Sequence, residues 1–426
     1  MAAVEHRSQI KIDIHFLPTM KTTPAALRAF WVNIYQKHAR KKVTDTSLPK
    51  LTFPARRAIN RKKIIGACVS VLLMGCSAAH AAVYTFTGTS LPPGCSGSGS
   101  TFTCGGLTLA SGDVISTPSN DITVTIKGPF NTAANVQINP PTYGSGALNL
   151  IVYGVTTTGA NNTINANISG VASVINIGAD NTVVGTLKTD DGAINVGDRT
   201  AITGSLYTVN SGVITIGDHS TVSGSLNTFT GAINVGDYSV VGAIISTSAG
   251  AITVGDSSQV KGKIVAGAGA ITTGTRTVVT GDVTTQTGAI TVGSEGIING
   301  KINNLDMTTA GAITINDRGI VNGTVVTGAG AITLGTGSKT GGIATVDGAI
   351  TVGGLSTVKG SLCTGRSGAI TVAAGSTITG KVSSAGAQTV SSGAVVANSK
   401  NAVCANVASP PRVLKSREWR QIFIKT

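Results

Sequence analysis

Four aspartates recur at one place in a repeated phrase: Asp198, Asp218, Asp237 and Asp256, spaced 20, 19 and 19 residues apart. Stacked above one another they would make a column of carboxylates, the oxygen set that binds Ca²⁺. Later copies fill the same slot with Thr275, Ser294, Thr336 and Gly354, and only Asp317 returns to aspartate. Asp, Ser, Thr and Gly share one property: they suit turns, through local hydrogen bonds or unusual dihedrals. The slot therefore reads as a turn, and no metal ligand is assigned. Thr189-Asp190-Asp191-Gly192 places two carboxylates side by side, as sugar hydrolysis needs. That chemistry also needs a His or Arg/Lys partner and aromatic platforms. The repeats hold no Trp, and His219 stands by itself. No catalytic residue and no cofactor is assigned.

The cysteines come next. Cys68 and Cys76 fall in an apolar N-terminal segment, leaving Cys95, Cys104, Cys363 and Cys404. Four cysteines allow three connectivities. Cys95 and Cys104 flank a Gly/Ser-rich loop, which favours a local bridge; Cys363 would then pair with Cys404 and tie the last coils to the tail. Without a C-x-x-C motif, and with one His after residue 81, zinc is not expected.

The elements that must position these residues are written in the repeat. Gly-Ala-Ile-Asn-Val-Gly-Asp at Gly192 returns at Gly212, Gly231, Gly250, Gly269, Gly288, Gly311, Gly330, Gly348 and Gly368. A period near 19 with this regularity marks a solenoid. Within a unit Ile252 and Val254 point one way and Thr253 the other, by the two-residue period of a strand. Val260, Gly262 and Ile264 form a second alternating set, and Gly255-Asp256 reads as the turn between them. The expected fold is all-β, a parallel β-helix with coils of about 19 residues and two or three strands each. Stacking is obligatory, because one coil buries too few aliphatic side chains to offset the entropy of ordering it. The interval from Gly288 to Gly311 is 23 residues, so the chain should bulge at Asn303-Asn304-Leu305-Asp306. Thr253, Thr272, Thr291, Thr314, Thr333, Thr351 and Thr371 should form an outward column. Flat threonine arrays can bind ice, but one column on an exposed strand face is ordinary.

Composition agrees. Of 426 residues 56 are Gly, only 12% are charged and 4% aromatic, so neither a disordered chain nor a helical bundle fits. The formal net charge of +14 suggests a nucleic-acid binder until it is divided by region. Residues 1–63 hold 14 Lys/Arg against 3 Asp/Glu, and residues 410–426 hold 5 against 1. The body is close to neutral and offers no electrostatic funnel to a phosphate backbone, so no nucleic acid is expected as a partner.

Five regions follow. Residues 1–55 are a basic extension with no assigned fold, consistent with an over-extended start. Residues 56–81 read as a signal peptide: Arg56-Arg57 and Arg61-Lys62-Lys63, an 11-residue apolar run from Ile64 to Met74, then Ala79-His80-Ala81 as an A-x-A cleavage site. The run is too short to span a bilayer, so no transmembrane span is expected in the mature chain. Leu73-Met74-Gly75-Cys76 offers a second route, a lipid anchor at Cys76. Residues 82–150 are an N-terminal cap with irregular first coils, 151–397 the solenoid, and 398–426 a C-terminal cap and tail. In that tail Val413 to Phe423 reads either as a short amphipathic helix that docks on the last coil or a partner, or as a loosely ordered tail.

Two resemblances add to this. Val83-Tyr84-Thr85-Phe86, Cys95, Cys104-Gly105-Gly106-Leu107-Thr108-Leu109 and the GAITVG repeats resemble the N-terminal region of MshQ-like proteins, over residues 82–405. That resemblance implies an exported protein associated with mannose-sensitive haemagglutinin type pili, at the cell surface, outer membrane or periplasm. The unit from Gly255 to Ile264 is similar to bactofilins, which implies a polymer-forming scaffold. The expected function is a structural or adhesion-type module that contacts pilus components, a surface polymer or copies of itself. A bactofilin-like filament and a polysaccharide-active enzyme are the alternatives.

Overall fold

The coil from Ile252 to Ala270 shows how nineteen residues close a turn. Ile252–Val254 forms the first strand, a tight turn follows, and Gln259–Val260 forms the second. A corner at Lys261-Gly262-Lys263 leads to Ile264–Ala266, the third. Register is kept one coil later: Ile252 lies on Ile271, Gln259 on Val278 and Ile264 on Val283, all parallel. Val260 and Ile264 therefore belong to separate strands, not to one. The sequence blurs them because Gly262 fits the alternation, but its backbone turns a corner there. A Cβ on Gly262 would lie 2.4 Å from the carbonyl oxygen of Ala243 in the coil below.

The computed structural model describes residues 81–397, apart from 88–89, 119 and 142–145. Among the described residues every regular element is a strand. They form three parallel sheets of 15, 16 and 16 strands, each strand bonded to its equivalents in the coils before and after. The first sheet carries the Gly-Ala-Ile strands, the second the short strands after the turn, and the third those equivalent to Ile264–Ala266. Sixteen strands at about 4.8 Å per step make a stack roughly 70 Å long. The fold is the β-solenoid expected from the period, with three strands per coil.

The core is a set of aliphatic columns. Ile233, Ile252, Ile271, Ile290, Ile313, Ile332, Ile350 and Ile370 stack in the first sheet with at most 1% exposure. Leu226, Ile245, Ile264, Val283, Ile302, Val325, Ile343 and Leu362 do the same in the third. Polar columns fill the corners. Ser239 Oγ donates to the Gly217 carbonyl at 3.0 Å and accepts the Ser220 N–H at 3.1 Å. Ser220, Ser258, Ser338, Ser356 and Ser376 are buried in the same column. At the opposite corner Thr247 Oγ1 donates to the Gly231 carbonyl and accepts the Gly250 N–H, both at 3.0 Å. Buried hydroxyls are retained because they meet backbone groups that corners leave unpaired.

The coils begin early. Val83–Thr85 already pairs in register with Val114–Ser116, and Leu107–Leu109 with Phe130–Thr132. Within the expected N-terminal cap a hairpin departs from the parallel pattern, with Cys95–Ser98 antiparallel to Thr101–Cys104, and so does the bridge between Thr85 and Ser90. Phe102, on the second strand of that hairpin, is buried, as are Phe86 and Phe130, and the Phe86 and Phe102 rings lie 5.1 Å apart.

The long interval also differs from expectation. Asn303 and Asn304 remain in a strand, Ile302–Asn304, paired with Thr284 and Thr285. The four extra residues are accommodated in the following corner, where Asp306 accepts the N–H groups of Thr308 and Thr309. Asn304 occupies the corner position that Thr285 fills below, and its longer side chain spans to the carbonyls of both Gly288 and Gly311 at 2.7 and 2.9 Å.

The apolar run Ile64 to Met74, the cleavage site up to His80, Cys76, and the tail 398–426 lie outside the described residues.

Candidate functional site

The aspartate column is a hydrogen-bond relay between coils. Asp198 Oδ1 accepts the backbone N–H of Asp218 at 3.0 Å, Asp218 that of Asp237 at 2.8 Å, and Asp237 that of Asp256 at 2.7 Å. Asp256 accepts the N–H of Thr275 at 2.7 Å, where the column loses its carboxylate. Asp317 repeats the contact with Thr336 at 2.8 Å. These oxygens are directed at backbone donors one coil on, not at the local donors of their own turn that the turn reading expected. The turn uses Gly and Asp differently from the sequence-level reasoning, however. The positive φ falls on the residue after the aspartate, as at Ser257 with φ 56°. Gly255 is needed for space.

Thr189, Asp190 and Asp191 are not assembled into one constellation. Thr189 is fully buried and serves a corner: its Oγ1 donates to the Ser173 carbonyl at 2.8 Å and accepts the Gly192 N–H at 3.0 Å. Asp190 lies 3.8 Å from Lys188 in an exposed ion pair. Asp191 accepts from Asn210 and Ser211 of the next coil.

Cys95 and Cys104 form a disulfide across the hairpin, with Cα atoms 4.0 Å apart. Cys363 is also disulfide-bonded. Cys404, its expected partner, lies outside the described residues.

Two surfaces present side chains at regular spacing. One is the first sheet, where Thr253, Thr272, Thr291, Thr314, Thr333, Thr351 and Thr371 stand in unbroken register. Asn195 and Asn176 extend the column downward, and Asn195 Nδ2 donates to Asn176 Oδ1 at 2.8 Å.

The other surface is a corner ridge that sequence reasoning missed. Asp180, Arg199, His219, Tyr238, Ser257, Arg276, Glu295, Arg318 and Leu355 occupy the slot after the turn aspartate, all with φ between 55° and 60°. His219 stacks on Tyr238 with ring centroids 4.9 Å apart and planes at 19°. Arg199 grips Asp180 through Nε and Nη2 at 2.7 and 2.8 Å. That contact holds the Asp180 carboxyl below the usual carboxylate range and raises the Arg199 guanidinium. Arg318 pairs with Glu295 in the same way. The available signal was the position x in Gly-Asp-x-Ser, whose residue type changes at nearly every copy.

Geometry thus defines the class: a three-sided parallel β-solenoid with a corner ridge of charged, aromatic and polar side chains and a column of Thr and Asn on its first sheet. No family model, no curated protein and no solved structure matches the chain.

Proposed function

We propose that the chain is an exported, non-catalytic structural or adhesion-type module of the bacterial surface or periplasm, which acts through shape and through its corner ridge. The observation that carries this reading is the backbone of the ridge. A left-handed residue with a Cβ is strained, and glycine is the default there. Gly337 and Gly375 show that glycine serves in this slot. Arg199, His219, Tyr238, Arg276 and Arg318 nevertheless keep large side chains at that conformation, along a line with a step of about 4.8 Å. Strain maintained over successive coils is what a contact surface would require. The Cys95–Cys104 bond supports an oxidising compartment. A pilus, a surface polymer or a sister rod would meet this ridge, and the resemblance to MshQ-like proteins favours the first.

The test replaces Arg199, His219, Tyr238 and Arg276 together with glycine. Expected is a folded rod that is no longer retained on cells after fractionation. Unchanged retention would remove the ridge from the function. Asp190→Asn with Asp191→Asn should leave any polysaccharide processing unaltered; a loss would revive the enzyme reading.

A second reading, a bactofilin-like filament, is favoured by the far end of the stack. Val395 is 59% exposed on the final described strand, and no described strand pairs beyond it. The antiparallel hairpin at the other end opposes head-to-tail addition of a parallel coil. Electron microscopy decides: discrete rods support the module, and long fibres support the filament.

A further inference from the structure

Two ion pairs on the corner ridge repeat one arrangement. Asp180 accepts from Arg199 of the next coil, and Glu295 accepts from Arg318 of the next, with Arg318 Nε 3.0 Å from Glu295 Oε1. Each pair is a short dipole along the stack, with its carboxylate in the earlier coil. Between them the ridge carries His219, Tyr238, Ser257 and Arg276. Each ridge N–H donates to a carbonyl of the following coil, from Asp180 on Asp198 to Arg318 on Thr336. The ridge therefore advances one residue per coil. From Asp180 to Arg318 it takes seven steps, or about 34 Å.

This order is complementary to its own reverse. Turned end for end about a point between Tyr238 and Ser257, the ridge sets Arg318 opposite Asp180 and Glu295 opposite Arg199. Arg276 comes opposite His219 and its neighbour Asp218, and Ser257 opposite Tyr238. Side-by-side dipoles attract only when they run in opposite directions. A parallel copy in register would set Arg199 on Arg199 and Glu295 on Glu295. Among antiparallel registers, this one gives each ion pair an opposed pair. Two further observations fit it. On the second sheet, beside the ridge, Val278, Ile297 and Ile320 stand outward and half-buried. The same reversal sets them opposite Thr221, Ala201 and Thr182, which are exposed and smaller. Charge also divides near the point of reversal. Residues 81–256 hold 9 Asp/Glu against 3 Lys/Arg, and residues 257–397 hold 9 Lys/Arg against 5 Asp/Glu. End-for-end pairing lays the acidic half of one copy along the basic half of the other, which steers encounter.

We propose that the ridge binds a second copy of this chain, antiparallel, about a two-fold axis between Tyr238 and Ser257. The interface is isologous, the same patch serving on both copies. The proposal rests on the reading of the ridge as a contact surface and names its partner. Each of the carboxylates Asp180 and Glu295 then meets one guanidinium of its own chain and one of the other. Charges joined in a network contribute where isolated exposed pairs add little. The contact leaves the Thr and Asn column of the first sheet facing outward.

Charge reversal in the purified full chain tests it, read by sedimentation. The parent should form a dimer that weakens as salt is raised. Asp180→Arg with Arg199→Asp keeps the local ion pair and reverses its direction, so like charges face each other across the axis. Pairing should weaken by at least about tenfold. Glu295→Arg with Arg318→Glu should do the same. Mixed together, these two proteins should pair with one another, and a chain with all four changes should pair with itself, because each reversal then meets its complement. A parent that stays monomeric at every concentration overturns the proposal. So do reversals that pair as tightly as the parent, or a four-fold variant that stays monomeric. Direction is read with a short bismaleimide: His219→Cys chains should be linked to Arg276→Cys chains, and His219→Cys chains linked to each other would show parallel packing and overturn it. The surface reading fails separately, because it is read by retention on cells. Retention lost with the glycine ridge, beside a monomeric parent, keeps that reading and removes this one.

Discussion

Asp237 and Gly255 are coupled through one oxygen. Asp237 Oδ1 takes the N–H of Asp256 at 2.7 Å, and a Cβ on Gly255 would stand 2.4 Å from that same atom. The phrase Gly-Asp therefore repeats as a unit: each aspartate needs a glycine one coil later to let its carboxylate in.

Asp237→Ala removes the acceptor and should destabilise the stack by about 1–2 kcal/mol. Asp237→Asn keeps an oxygen in place and should lose less. Gly255→Ala should cost more than either, above about 2 kcal/mol, because backbone atoms of Gly236 and Asp237 also lie within 2.8 Å of the added Cβ. Adding Asp237→Ala to Gly255→Ala should not restore stability. Denaturant unfolding followed by circular dichroism reads all four, and a silent Gly255→Ala would refute the coupling.

Ile264 is fully buried in its column. Ile264→Ala should lower stability by about 2–5 kcal/mol, because neighbouring coils cannot close the gap. Thr253→Val, on the outward side of its strand, should shift it by less than about 0.5 kcal/mol. Comparable losses from both would mean that the faces are assigned wrongly.

Asp306 gives a pH test. The backbone N–H groups of Thr308 and Thr309 lower its carboxyl from 3.8 to about 2. The folded corner thus prefers the charged form. Its contribution is complete above the unfolded value and fades as pH falls through about 2. Asp306→Asn should therefore lower the thermal midpoint relative to the parent at pH 5, and the gap should narrow by pH 2. An equal gap at both pH values would show that the carboxylate charge is irrelevant to this corner.

The Cys95–Cys104 bond closes a short hairpin whose Phe102 packs against Phe86. Changing both cysteines to Ala should destabilise the first coils by roughly 2–4 kcal/mol. Limited proteolysis should then cut near residues 95–104 well before the repeats. Simultaneous digestion of the whole stack would show instead that the hairpin holds the entire solenoid.

What could be read from the chain, and what could not, divides by range. Ile252, Val254 and their copies at a period near 19 determine a stacked all-β coil, because side-chain alternation and repeat length are local properties. Gly-Asp determines a turn for the same reason. Sequence could not show that Val260 and Ile264 lie on different sheets. Gly262 satisfies both a strand alternation and a corner, and only contact with Ala243 in the coil below separates them. Nor could it show that Asp190 and Asp191 face different partners, that His219 stacks on Tyr238, or that Ala344 is buried while Thr333 is exposed. These relationships join atoms a full coil or more apart in sequence, and they exist only once the coils are in register. The repeat specifies the coil; stacking decides which side chains meet.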